Sequence, residues 1–159
     1  MKILVAYYSR TGLSKKIATL ISTKLKADLD EIIDKKDRAG ATGYMIAGKD
    51  ALSKSLTEIE HKLNPKEYDL IIIGGPVWAW TMCPAIRTYI DQNKDAIKIK
   101  KVAFFATQGS SGAEKKFEAM KNMLDMNVEQ TLTIDGKDFK NNIFVHKIED
   151  FVEEIKRIN

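Results

Sequence analysis

At 159 residues, with 44 % hydrophobic and 30 % charged residues, the chain fits one domain that can bury its own core, which excludes a disordered or collagen-like protein. One cysteine, Cys83, and two histidines, His61 and His146, exclude a disulfide framework and a cysteine-rich zinc site, and point to a cytoplasmic protein without a metal. The net charge of +4 comes from lysines scattered along predicted helices with no recognition motif, which argues against a nucleic-acid partner, and no apolar run approaches the ~18 residues of a membrane helix.

The chain opens MKILVAYYSRTGLSKK. Ile3–Ala6 is too short for a helix and reads as a buried strand, while Ile17, Leu20, Ile21 and Leu25 recur at helical spacing. The apolar opening is short for a signal peptide and runs into Ser9-Arg10-Thr11-Gly12 rather than a cleavage site, so it belongs to the folded protein. The loop between strand and helix therefore sits where helix N–H groups and the helix dipole favour an anion. Ser9, Thr11 and Ser14 add hydroxyl donors, and Gly12 allows close backbone approach.

Asp28–Asp34 is a weaker strand, followed by a long basic connection, Lys35–Lys49, that contains Gly40, Gly43 and Gly48. Ala47, Ala51, Leu52, Ser55, Leu56 and Ile59 then predict a second helix, with Pro65 beyond its end. Leu70–Ile73 is a continuous apolar strand of the kind covered on both faces, and it ends in Gly74-Gly75-Pro76. An apolar, aromatic loop, Val77–Cys83, leads to Pro84 at the first position of a helix carrying Ile86, Tyr89 and Ile90. Val102–Ala106 repeats the strand pattern, the polar loop Thr107–Gly112 follows, and Ala113, Phe117, Met120 and Leu124 mark the next helix. Val128, Gln130, Leu132 and Ile134 alternate as a half-exposed strand, Asp135-Gly136 forms a turn, and Phe144, Ile148, Phe151, Val152 and Ile155 stripe a closing helix.

Strand and helix thus alternate five times, which predicts an α/β fold: a parallel sheet with helices on both sides and ligands at the carboxyl ends of the strands. With strand order 2-1-3-4-5, the loops Ser9–Ser14, Gly74–Trp80 and Thr107–Gly112 are neighbours at one rim.

Over essentially its whole length the chain resembles the flavodoxin family. The phosphate loop of that family commonly reads Ser/Thr-x-Thr-Gly-Asn-Thr, and Ser9-Arg10-Thr11-Gly12-Leu13-Ser14 follows it, with Leu13 in place of Asn and Ser14 in place of Thr. The resemblance implies a three-layer α/β/α sandwich with a five-stranded parallel sheet, and flavin mononucleotide (FMN) as a non-covalent cofactor. Its phosphate would lie in the first loop. Its ring would lie between Pro76, Val77, Trp78 and Ala79 on one side and Thr107, Gln108, Gly109 and Gly112 on the other. Trp78, two residues after Pro76, is the preferred stacking residue over Trp80. The flavin would carry the redox chemistry, so no catalytic side chain is expected.

Two family features are missing: no glycine lies between Val77 and Cys83, and the acidic surface of carrier flavodoxins is replaced by a net basic one. The first expectation is an electron-transfer flavoprotein serving redox partner proteins or a small-molecule acceptor, as a monomer or homodimer. The alternative is an NAD(P)H-dependent quinone or flavin reductase, with Lys35–Lys49 beside a nicotinamide phosphate. A flavin-free binding module is third. A phosphorelay receiver is excluded, because its acidic positions read Tyr8-Ser9-Arg10 and Gly74-Gly75. Cys83 is expected to fill space beside Pro84, His61 and His146 to sit at helix ends, and at least one of Tyr7 and Tyr8 to enter the core.

Overall fold

The computed structural model describes residues 1–158. In chain order the elements are β1 (Ile3–Tyr7), α1 (Leu13–Leu25), β2 (Asp28–Glu31), β3 (Ile33–Asp34), α2 (Gly40–Leu52) and β4 (Ile59–Glu60). A 3₁₀ turn at Pro65–Glu67 leads to β5 (Leu70–Trp78), β6 (Thr81–Met82), α3 (Pro84–Ile97), β7 (Lys101–Thr107) and α4 (Ala113–Leu124). The chain closes with β8 (Gln130–Ile134), α5 (Gly136–Lys140) and α6 (Phe144–Lys156). The main strands are parallel in the order β2-β1-β5-β7-β8, which is the expected 2-1-3-4-5.

The continuous apolar runs follow from a sheet covered on both faces. Strand residues alternate sides, so Leu4, Ala6 and Tyr8 join Ile71, Ile73 and Phe104 in one core, against α2, α3 and α4. Val5 and Tyr7 join Ile72 and Phe105 in the other, against α1 and α6. Both tyrosines are therefore buried, one in each core. Gly74 is fixed by the second core, since a Cβ there would stand 2.1 Å from the Phe105 ring.

Three expectations are corrected. The second helix runs Gly40–Leu52, not from Ala47 to Ile59, because its buried stripe is Gly43, Ala47 and Ala51. These small residues bring the helix close: a Cβ on Gly43 would fall 2.1 Å from the Arg38 carbonyl carbon. Ile59 pairs instead with Asp34 in the antiparallel β3–β4 ribbon, so the strand expected over Asp28–Asp34 is divided after Glu31, where Ile32 turns into the core. Asp135-Gly136 opens α5, whose first turn is closed by reciprocal hydrogen bonds between Asp135 and Asp138.

The basic connection is anchored to the fold by ion pairs. Arg38 is buried, its Nε donating to Asp34 at 2.6 Å and its Nη1 to Asp50 at 2.9 Å. Lys36 Nζ reaches the same Asp50 oxygen at 2.6 Å, and this bond, with that of Arg38, holds the Asp50 carboxyl below its usual range. Among the described residues no helix is long and apolar enough to cross a membrane, and no group of three or more His, Cys, Asp or Glu side chains is placed to hold a metal.

Candidate functional site

The three glycine-bearing loops end β1, β5 and β7, adjacent strands, so they share one rim of the sheet. The first is an open amide cradle. Gly12, at φ 97°, is the cap residue of α1, and no side chain caps the helix or places an acid in its first turn. The first amide with a backbone acceptor is that of Lys16, bonded to the Gly12 carbonyl at 3.0 Å, which leaves the amides of Leu13, Ser14 and Lys15 without a helical acceptor. A Cβ built on Gly12 would meet nothing within 4 Å. The donor set and the clear space above it suit an anion.

The side chains of this loop shape it more than they face the opening. Ser9 Oγ accepts from the Gly12 amide at 3.0 Å, tightening the turn. Arg10 donates to the carbonyls of Arg38 at 2.9 Å and Gly40 at 3.0 Å, tying the loop to the start of α2. Ser14, expected to hold a phosphate, is buried, and its hydroxyl shares a 2.7 Å hydrogen bond with that of Thr107. Thr11 and Leu13 are the exposed members.

The second loop is a hairpin rather than the irregular segment that the sequence predicts. β5 continues through Pro76 and Val77 to Trp78 and turns back into β6, with Val77 opposite Met82 and Trp78 opposite Thr81. The two turn residues, Ala79 at φ 48° and Trp80 at φ 59°, are both left-handed, as a two-residue hairpin turn requires and as non-glycine residues adopt at a cost. The hairpin encloses Trp78, 9 % exposed, edge-on to Tyr8 at 5.5 Å and with the Arg38 guanidinium 5.6 Å from its ring. It presents Trp80, 59 % exposed. β5 thus keeps Trp78, the expected stacking residue, against the core, while the turn carries Trp80 outward.

The strain in this turn is measurable. Left-handed backbone costs a non-glycine residue about 1–2 kcal/mol, and glycine's extra unfolded-state freedom returns about half of that. Ala79→Gly is therefore expected to raise the unfolding free energy in urea by about 0.5 kcal/mol. An unchanged or lower value would show the turn to be unstrained.

The third loop is braced from within. Gln108 Oε1 accepts from the Ala113 amide at 2.8 Å, closing the loop over the start of α4. The Gly109 carbonyl accepts from the Gly136 amide at 3.1 Å. Gly112, at φ 108°, is the point of contact with the second loop: a Cβ there would lie 2.8 Å from Val77 Cγ1 and 2.9 Å from Trp80 Cα.

Of the cavities that flank these loops, two border α2 or the segment that leads into it. One of about 460 Å³ lies between Ser9–Thr11 and the segment from Asp34 to Gly40. The other, about 420 Å³, lies between α2 and the second and third loops, bordered by Tyr44, Gly48, Trp78, Trp80 and Ser110. The rim can thus hold an anion at one end and a flat, partly apolar group at the other. Tyr44 and Gly48 lie outside the three loops that the sequence singles out, and only the position of α2 brings them to the rim.

Behind the hairpin lie two cations that the sequence also hid. Lys116 of α4 is fully buried and donates from Nζ to the Gly75 carbonyl at 2.6 Å. Burial holds its ammonium down at about 8. Arg87 of α3 is buried, reaches Thr81 Oγ1 at 3.5 Å and Met123 Sδ at 3.8 Å, and leaves Nε without a partner. Cys83 is buried beside them, as expected of a space-filling residue, and burial pushes its thiol up. His61 sits at the end of the β4 ribbon, 4.9 Å from the Tyr89 ring, and His146 is exposed on α6.

The sequence pattern of the flavodoxin family matches residues 2–155. Among solved structures, the chain is similar to a flavoprotein from Lactobacillus acidophilus NCFM in complex with FMN, at 28 % identity and a TM-score of 0.72 over 88 % of this chain and 97 % of that one. It is similar to the apo-form of the flavoprotein from the same organism at 29 % identity, with a TM-score of 0.67 over 87 % of this chain and 95 % of that one. Oxidised flavodoxin 1 from Bacillus cereus shares the fold at 17 % identity, with a TM-score of 0.58 and full coverage of both chains (100 %). No curated protein matches in sequence.

Proposed function

The chain belongs to the flavodoxin family, and from that membership we propose that it binds FMN non-covalently and passes electrons through it between redox partners. The observation that carries this reading is the uncapped amide cradle of α1 standing at the same rim as an aromatic-bordered cavity. Bound FMN supplies one- and two-electron redox chemistry. The protein's part is to hold and surround it. The amides of Leu13, Ser14 and Lys15 would hold the phosphate, helped by the Thr11 hydroxyl. Trp80 would cover one ring face, and the Gly109–Ser111 backbone would meet the ring edge. Ser9, Arg10, Ser14, Gln108 and Thr107 keep these loops in place through the bonds described above. The compartment proposed is the cytoplasm, in keeping with a lone, buried cysteine.

The open cavity between Tyr44, 66 % exposed, and Trp80 favours one further reading, a reductase that delivers electrons to a flat acceptor such as a quinone. The basic segment lends it little support, since Lys36 and Arg38 are committed to Asp50 and Asp34.

Titration of the apoprotein with FMN is expected to give a yellow complex with a dissociation constant at or below about 1 µM, a binding free energy of about −8 kcal/mol. Absence of binding at that concentration would overturn the flavin reading. Steady-state oxidation of NADH or NADPH with a quinone acceptor then separates reductase from carrier, the carrier showing no turnover with either donor.

A further inference from the structure

Lys116 and Arg87 are buried cations behind the hairpin, and unlike Arg38, which is paired with Asp34 and Asp50, neither is paired with a carboxylate among the described residues. Uncompensated buried charge is expensive, and here it stands directly behind the proposed ring site. Gly75, whose carbonyl takes the Lys116 ammonium, lies two residues before Val77 on β5. Lys116 also follows Gly112 by one helical turn, its amide bonded to the Gly112 carbonyl at 3.0 Å, and Gly112 touches both Val77 and Trp80. Arg87 reaches Thr81, the residue paired with Trp78. The hairpin is thus backed by a cation from each of two helices.

Resting on the FMN reading, we propose that Lys116 and Arg87 form a buried cationic layer that stabilises two-electron-reduced flavin over oxidised flavin. Oxidised flavin has a neutral ring. Two electrons from a reductant and one proton from solvent give the reduced anion, so the added negative charge is attracted to the layer and the oxidised ring is not. Such a layer moves the site toward accepting electrons, opposite to an acidic surround.

The ionisable groups that bear on the pair leave this sign intact. The Cys83 thiol, at the β6–α3 junction, acts on both cations, and burial keeps it in the neutral form. Asp34 and Arg38 act on Cys83 in opposite directions, and they are paired with each other.

The test is the midpoint potential of bound FMN, read spectroscopically during dithionite titration against a redox dye. In Lys116→Met the preference for reduced over oxidised flavin is expected to fall at least about tenfold, a potential about 30 mV lower, and Lys116→Arg is expected to restore it. Arg87→Met should shift it in the same direction. Above pH 8, where Lys116 loses its proton in the oxidised protein, the wild-type potential should fall more steeply than that of Lys116→Met until the two converge. A purely structural role for Lys116 would move the melting temperature and leave the potential in place. Bound flavin with unmoved potentials in both Met variants would overturn this inference alone, and wild-type protein that binds no flavin would overturn it together with the FMN reading. Should Lys116→Met fail to fold, Arg87→Met and the wild-type pH curve decide, and an unmoved potential without the steeper fall overturns the proposal.

Discussion

Leu13→Asp is expected to weaken FMN binding about a hundredfold while leaving the apoprotein as stable as before, or more so. Leu13 is the first helical residue of α1 and is 48 % exposed. An aspartate there meets the positive end of the helix dipole, worth about 0.3–1 kcal/mol in the folded apoprotein. The same carboxylate would stand beside the phosphate held by the amides of this turn. Two unit charges 4 Å apart near a protein surface interact by about 4 kcal/mol, and salt and partial exposure reduce this to about 2–3 kcal/mol, some two factors of ten in affinity. Isothermal titration with FMN and urea unfolding of the apoprotein check both signs. Equal affinity for FMN in the variant would place the phosphate elsewhere. Leu13→Asn, which adds no charge, is expected to change affinity little.

Gly112→Ala is expected to destabilise the protein by about 2–4 kcal/mol and to weaken flavin binding as well. A side chain at φ 108° is strained by about 1–3 kcal/mol, and the new methyl would press on Val77 and on the backbone of Trp80, adding an overpacking cost. Relief requires the second and third loops to part, which is where the flavin ring is proposed to lie. The melting temperature should drop by about 10 °C for a chain of this size. Gly109→Ala is the matched control, since a Cβ there meets nothing within 4 Å. Equal stability of Gly112→Ala and Gly109→Ala would show that the Gly112 contact does not constrain the loops.

The sheet was legible because its central strands leave no ambiguity: Leu70–Ile73 and Val102–Ala106 are apolar on both faces, and only a sheet covered on both sides uses such runs. The three loops followed from what ends those strands. What stayed hidden depends on context that a linear pattern lacks. α2 is buried along Gly43, Ala47 and Ala51, and the smallness of Gly43 signals close approach only once the Arg38 backbone is known to lie against it. Lys116 and Arg87 sit on amphipathic helices, where a cation reads as solvent-facing, yet both are buried. The roles of the two tryptophans depend on a hairpin formed without glycine or asparagine, the usual signals for such a turn. The Ser14 hydroxyl reads as a ligand donor because its partner lies far away in sequence: Ser14 and Thr107 are separated by 93 positions.

That last bond has a bearing on how the site would treat pieces of its ligand. The buried 2.7 Å link between Ser14 and Thr107 fastens the loop proposed for the phosphate to the loop proposed for the ring edge. A fixed spacing between two binding ends lets a molecule that spans both engage the second end at high effective concentration once the first is seated. Two separate molecules, riboflavin and inorganic phosphate, gain no such advantage and must each lose their own freedom of motion on binding. Selection for the intact mononucleotide is then a property of the span between the loops rather than of either loop alone.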